Sequence, residues 1–390
     1  MSERLSLLVI GGGPAGLSTA RSYRDAGGEG PVAIVADEHR MPYRRPPLTK
    51  ELLRGDSTEE DLPIEHESWL SEHEVSLISG RAVTLDADAR TVVLSGGREL
   101  EYNQLVLATG AEPTRLPVQG ADDPAVRVLR TLDHLRELQQ RLGRGESAVV
   151  IGSGFIGCEI AASLRMRGHR VHLVSDETAP NVARLGDEAA AVLARWLQEQ
   201  GVSLHLGTAV ERIERLPAAF EVVADGSRVS GDVVIMATGV APRGELVVAT
   251  SGIDLADGAI PVSADMRSAR TDVLAAGDVC RAENVAAGRP LRVEHWGDAL
   301  AQGEIAGATA AGKQAEWEDV PGFWSTIGSR TLKYAAWGDG FDQARFESHP
   351  NGGFTTWYAR EGRFAGVLTH EADEDYERGA ELIKRGVSWS

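Results

Sequence analysis

Two stretches of this chain share one grammar, and a chain that writes it twice has few folds open to it. "LSLLVIGGGPAGLSTARSYRDAG" (residues 5–27) and "SAVVIGSGFIGCEIAASLRMRG" (residues 147–168) each run from a short aliphatic strand through a glycine-rich turn into a segment of helical period. A second aliphatic strand follows each, "VAIVADE" and "HRVHLVSDE", closing on acids about 20 residues past the last glycine. A further echo pairs "LVLATGAEP" with "VVIMATGVAP", where a strand again stops at Thr-Gly. The pattern predicts an α/β fold with two dinucleotide-binding modules in tandem.

Each glycine in GxGxxG has a physical task. Gly11 permits the tight turn, Gly13 lets backbone approach a pyrophosphate, and Gly16 lets the helix pack closely on its strand. The helix N-terminus then faces the phosphates. Gly152, Gly154 and Gly157 repeat the arrangement. At the strand ends, Asp37 or Glu38 in the first module and Asp176 in the second are placed to accept hydrogen bonds from a ribose. "DVLAAGDVC" is another aliphatic strand, and its Asp278 stands either at a carboxyl edge where sheet ligands bind or at a helix N-cap; the two roles can coexist. Two such sites let one cofactor stay bound while another visits, with hydride passing between adjacent rings.

Composition excludes several other classes. The formal net charge of the 390 residues is -18, with no basic stripe to override it, so nucleic acid is not expected as a partner. The only cysteines, Cys158 and Cys280, form no CxxC, which leaves no zinc site and no local redox disulfide and fits a reducing cytoplasm. The chain opens without a cationic leader, and no apolar run reaches the roughly 18 residues of a membrane span, so a soluble cytoplasmic protein is expected. There is no GxSxG and no HExxH. "EHESWLSEHE" reads as an acidic helix face rather than a metal site, "EADEDYE" as a solvated run, and no metal is expected.

One stretch stands outside this grammar. "HRMPYRRPPLTKELL", residues 39–53, packs arginines, a lysine and two adjacent prolines together; Pro46 and Pro47 should stiffen the backbone and keep a helix from starting early. GGGPAG at Gly11, PYRRPPLTK at Pro42, ATG at Ala108, LRTLDH at Leu129, GSGFIG at Gly152, GDV at Gly277, EHW at Glu294 and FWS at Phe323 occur in order. Together they resemble the flavoprotein reductases that feed ferredoxins or rubredoxins of oxygenase systems, a family that also looks like apoptosis-inducing factor.

The resemblance implies a glutathione-reductase-like fold: an FAD-binding domain over 1–113 and 240–319, an NAD(P)H-binding domain over 114–239, and a small α+β C-terminal domain over 320–390. Six of the eight tryptophans lie in the last quarter of the chain, where the pattern turns short, strand-like and aromatic, which supports that last boundary. It also implies site roles. Lys50 would lie beside the reactive edge of the flavin, paired with Glu159, and Trp324 would come close to the ring. Arg45 would contact FAD and Arg130 would neutralise its pyrophosphate. Val83 would hold the adenine by its backbone, while Pro14, Ala15, Ala108, Thr109, Gly110, Gly277 and Asp278 would line the cofactor. His295 and Trp296 would offer backbone groups to the flavin's pyrimidine end. Phe155, Ile156 and Gly239 would line the nicotinamide nucleotide.

The implied reaction passes hydride from C4 of NADH to flavin N5, after which electrons leave singly to a ferredoxin or rubredoxin. The alternatives are an NADH oxidase or quinone reductase and an apoptosis-inducing-factor-like redox-sensing flavoprotein. Arg44, Arg281, Arg289 and Arg292 are candidates for a local basic patch that meets an acidic carrier. Many relatives end the second strand of the nicotinamide module with Glu; this chain has Ser175, Asp176 and Glu177, and no arginine until Arg184. An acid there repels the 2'-phosphate of NADPH. The expected outcome is a higher kcat/KM for NADH than for NADPH, and a preference of roughly tenfold for NADPH overturns the assignment.

Overall fold

The computed structural model describes residues 4–143, 146–248 and 252–389, and the chain divides into two compact units. The first comprises the described residues of Met1–Arg44, Pro63–Glu112 and Ala241–Phe323. The second comprises Arg45–Leu62, Pro113–Val240 and the described residues of Trp324–Ser390.

The first unit is built on a seven-stranded sheet. Strand Leu5–Ile10 sits inside it, parallel to Val32–Ala36 on one side and Glu99–Leu107 on the other; Val75–Ser79 extends the first side and Val273–Ala275 pairs with Glu99–Leu107. A hairpin of Ala82–Asp86 and Thr91–Leu94 adds two antiparallel strands. Val32–Ala36 is buried along its whole length, as an aliphatic strand covered on both faces must be. The helix after the first glycine loop, Pro14–Asp25, packs against Trp296–Ala310 with almost no space between backbones. A Cβ on Gly303 would lie 2.4 Å from the Ala15 carbonyl oxygen, and one on Gly307 2.3 Å from that of Thr19. The four-residue spacing of these glycines places both on one helix face. Ser18 Oγ adds a hydrogen bond to the Leu300 carbonyl at 2.8 Å.

The second unit repeats the plan. Its parallel sheet runs Ser203–His205, Arg170–Val174, Ser147–Ile151, Val233–Met236, Arg127–Val128. In both units the glycine-loop strand is flanked by the strand that follows its helix and by the strand that ends in Thr-Gly. The tandem repeat read from the sequence is thus a repeat of topology. A three-stranded antiparallel sheet, Val210–Arg215, Phe220–Ala224 and Ser227–Gly231, joins a core that includes Val149, Ile151, Val222 and Val234. The aromatic-rich last quarter forms a five-stranded antiparallel sheet with the helix Asp373–Lys384. Its strands Phe354–Arg360 and Arg363–His370 are joined at Glu361 and Gly362, both at positive φ, as a tight hairpin turn requires.

Three local expectations are revised. Pro46 and Pro47 do not bar helical structure; they open a single tight turn, Pro46–Thr49, because a fixed φ and a missing N–H suit the first positions of a turn. Asp278 caps no helix, since strand Cys280–Asn284 follows it. The acidic run near the C-terminus is only partly solvated: it supplies the acidic first turn of Asp373–Lys384, and Asp375 accepts a hydrogen bond from Thr355 at 2.7 Å. Among the described residues no helix is long and apolar enough to cross a membrane.

On adjacent parallel strands of the second unit, His172 Nδ1 and His205 Nε2 lie 3.0 Å apart. Burial, then the charges of His205 and Arg170, hold His172 below the ordinary histidine value, and burial does the same to His205. A depressed folded value means that the unfolded chain takes up protons first. This contribution is therefore intact above about pH 6.5 and is lost as pH falls below it. The melting temperature is expected to drop between pH 7.5 and 5.5 more steeply in the natural chain than in a His172→Phe, His205→Phe double variant. Parallel drops overturn the account.

Candidate functional site

The glycine loops sit where backbone touches backbone. In the first, Gly11 has φ +131°, and a Cβ there would lie 2.0 Å from the carbonyl oxygen of Ala108. Gly16 is closed in the same way by the Gly11 carbonyl at 2.0 Å. Gly13, the N-cap of Pro14–Asp25, has nothing within 4 Å of its Cβ direction. The second loop reproduces each feature: Gly152 against the Ala237 carbonyl at 2.4 Å, Gly157 against that of Gly152 at 2.0 Å, and open space at Gly154, the N-cap of Phe155–Met166. In each GxGxxG set the first and third glycines are packed tight and the second faces free volume, which is the shape a pyrophosphate cradle needs. The Thr-Gly echo also gains its reason, because Ala108 and Ala237 present the carbonyls that Gly11 and Gly152 must clear.

Around the first loop, Asp37 is exposed and lies within 3.8 Å of Arg81 and 3.9 Å of Arg243. Glu38 is half-buried and its Oε2 accepts the Tyr43 hydroxyl at 2.6 Å. Thr109 Oγ1 donates to the Arg243 carbonyl at 2.7 Å, and the Gly110 carbonyl accepts from the Arg243 N–H at 2.9 Å. Val83 is exposed on the hairpin. A Cβ on Gly277, which has φ +80°, would lie 3.1 Å from the Ala15 Cβ, and the Gly277 N–H donates to Gln302; Asp278 beside it is buried. His295 and Trp296 form the N-terminus of Trp296–Ala310, with His295 Nδ1 3.0 Å from Asp298 and its ring packed on Phe323. Arg243 and Gln302 carried no motif that could have drawn attention to them, and Tyr43 lay inside the proline elbow with no role assigned to it.

In the second unit, Ser153 Oγ lies 2.8 Å from Ser175 Oγ and 3.0 Å from Glu177 Oε2. Glu177, rather than the exposed Asp176, turns back onto the glycine loop. Ile156 is 48% exposed, Phe155 is half-buried, and Gly239 has φ +96°. Arg45 Nη1 donates to the Arg130 carbonyl at 3.0 Å. Lys50, 4% exposed, gives its ammonium to Glu159 Oε2 at 2.8 Å and to the Pro46 carbonyl at 3.2 Å; Glu159 is 2% exposed. Two residues that lie inside the PYRRPPLTK and FWS motifs but had been given no role complete this knot: Thr49 Oγ1 donates to Oε2 at 2.5 Å and Ser325 Oγ to Oε1 at 2.7 Å. Trp324, next to the buried Ser325, is 45% exposed. The candidate patch arginines lie in the first unit; Arg281 stands 3.6 Å from Asp257 and Arg292 3.1 Å from Glu294.

Among the described residues no group of three or more His, Cys, Asp or Glu could hold a metal. Both cysteines are free and buried. Burial above all raises the two thiols, Cys158 far above the ordinary range and Cys280 to about 12, the latter helped by Asp278. The native protein is therefore expected to leave a thiol reagent unreacted, with both thiols released on denaturation; rapid labelling of native protein overturns the assignment of inert cysteines.

Comparison with known proteins adds an independent line. A family model described as pyridine nucleotide-disulphide oxidoreductase matches residues 5–315. Rhodocoxin reductase of Rhodococcus erythropolis is 34% identical over 87% of this chain and 79% of its own length. Rubredoxin-NAD(+) reductase of Pseudomonas putida is 30% identical over 84% and 86%. The crystal structure of a ferredoxin reductase from Rhodopseudomonas palustris superimposes with a TM-score of 0.91 at 30% identity, covering 98% of this chain and 96% of that one.

Proposed function

The chain belongs to the pyridine nucleotide-disulphide oxidoreductase family, and from that premise we propose that it is a flavoprotein reductase taking hydride from NADH and passing electrons to a ferredoxin or rubredoxin. The observation that carries the reading is the doubled cradle: two GxGxxG loops, each tight at the first and third motif glycines and open at the second, each at the N-terminus of a buried helix. The names of the relatives, which specify rhodocoxin, rubredoxin with NAD(+), and ferredoxin, support the donor and the acceptor class.

FAD, when bound, supplies the hydride acceptor and the change from paired to single electrons. The chain's residues bind and orient it. Gly11, Gly13, Pro14, Ala15 and Gly16 would take its pyrophosphate, with Arg45 and Arg130 adding positive charge. Glu38, fixed by the Tyr43 hydroxyl, is better held for a ribose than Asp37, whose carboxylate lies between Arg81 and Arg243. Val83, Ala108, Thr109, Gly110, Gly277, Asp278, His295 and Trp296 would complete the cradle. Lys50 would stabilise negative charge on the reduced ring, and its bond to Glu159 keeps the ammonium oriented despite burial.

Gly152, Gly154, Phe155, Ile156, Gly157 and Gly239 would take the nicotinamide nucleotide. Asp176 and Glu177 together place two carboxylates at the strand end where a 2'-phosphate would fall, which supports NADH over NADPH. The two cysteines, buried, free and far apart in sequence, favour an electron carrier over a disulfide as acceptor.

Stopped-flow mixing of the purified holoprotein with NADH is expected to bleach the flavin absorbance, and subsequent mixing with ferredoxins or rubredoxins to restore it. Rapid NADH turnover in air without a carrier points instead to an oxidase or quinone reductase. Slow bleaching with a long-lived charge-transfer band points to a sensory flavoprotein. A polypeptide that cannot be reconstituted to a yellow form overturns the proposal outright.

A further inference from the structure

Three segments distant in sequence converge on one carboxylate. Glu159 lies early in the helix that leaves the second glycine loop; Thr49 and Lys50 come from the proline elbow, and Ser325 from the strand Gly322–Ile327. Lysine and threonine share Oε2, while among the described residues Oε1 has Ser325 alone. The threonine is held in turn from behind, since Ser163 Oγ, one helical turn beyond Glu159, donates to the Thr49 carbonyl at 2.7 Å. Side chains alternate along a strand, so the buried Ser325 faces the carboxylate while Trp324 faces solvent. One serine hydroxyl therefore ties the strand that carries Trp324 to the acid that aims Lys50.

We propose that Ser325 and Thr49 are positioning residues, acting through Glu159 to fix the Lys50 ammonium in one direction. Their role rests on the reading that Lys50 serves the flavin. Without Ser325, Oε1 is left buried with no donor, and the carboxylate gains freedom to rotate about its last bond. The ammonium follows its partner, so the charge offered to the reduced ring becomes diffuse in position although no charge has been removed. Loss of Thr49 Oγ1 frees Oε2 in the same way. A hydroxyl restored at either position, by threonine or serine respectively, should return the geometry.

The test compares holoproteins carrying Ser325→Ala, Ser325→Thr, Thr49→Val, Thr49→Ser and Lys50→Met. Four readouts are used: the rate of flavin reduction at saturating NADH, the Kd for NADH, the midpoint potential of bound FAD, and the melting temperature of the flavin-free chain. Ser325→Ala and Thr49→Val are expected to slow reduction by about tenfold or more and to lower the potential in the direction seen with Lys50→Met, with little change in the Kd for NADH, while the hydroxyl-keeping variants recover both. If Ser325→Ala and Thr49→Val match the natural chain in rate and potential while Lys50→Met is impaired, the positioning role is wrong. It is equally wrong if all four hydroxyl variants melt lower and slow to the same extent, because that marks a purely structural role. If Lys50→Met itself leaves rate and potential unchanged, the reading of Lys50 fails and this inference falls with it.

Discussion

At the first glycine of each GxGxxG loop a carbonyl oxygen from a strand end occupies the place of a side chain. The Ala108 carbonyl at Gly11 and the Ala237 carbonyl at Gly152 stand where any Cβ would have to go, and both glycines hold a φ that other residues rarely adopt. That approach turns the chain sharply enough for the next helix to begin at the carboxyl edge of its own sheet. Each loop helix thus presents unpaired N–H groups, roughly half a positive charge, at the edge where a doubly wound sheet receives its ligand. The tight packing of Pro14–Asp25 on Trp296–Ala310 follows from the same economy, because only glycine at 303 and 307 lets the two backbones come together.

The knot around Glu159 answers a different demand. A buried ion pair is weak evidence for stability, since the cost of taking both charges out of water can match what their attraction returns. Hydrophobic residues of similar volume would hold the same segments together at least as well. What Lys50 and Glu159 offer is orientation: each charge has several partners, so few rotamers satisfy the set. On the reading proposed for Lys50, keeping the charge fixed, rather than merely present, matters because a prearranged charge need not reorganise as an anion develops.

How much of this was legible in the sequence depends on whether the signal was local. The glycine loops, the strand echoes and the strand-like aromatic last quarter were readable because period, glycine placement and local composition determine them within a few residues. The roles of Thr49 and Ser325 were not, although both lie inside motifs, because a hydroxyl says nothing until its partner is known, and theirs lies 110 and 166 positions away. Asp176 and Glu177 are neighbours in sequence, and only the contact with Ser153 separates the one that turns inward from the one that faces water. Asp278 after an aliphatic run fits a helix cap as readily as a strand edge. The prolines carried their usual meaning as breakers, yet at the first positions of a turn the same rigid φ initiates structure.

The charge pattern sets the last constraint. With a formal net charge of -18 the protein's long-range field repels an acidic carrier, so attraction has to come from a few cations at short range. In the antiparallel pair Cys280–Asn284 and Arg289–Leu291, Ala282 faces Leu291, and continuing that register sets Arg281 opposite Arg292. Two like charges across a ladder repel, and each arginine here has an acid of its own within reach, Asp257 and Glu294. An incoming carboxylate therefore does not meet a bare cation; it competes with an acid already present. Exchange of one exposed partner for another changes the net energy little, so such a surface discriminates by geometry and encounter rate more than by strength. A carrier that must leave after each electron is served better by contacts of that kind than by a tight complex.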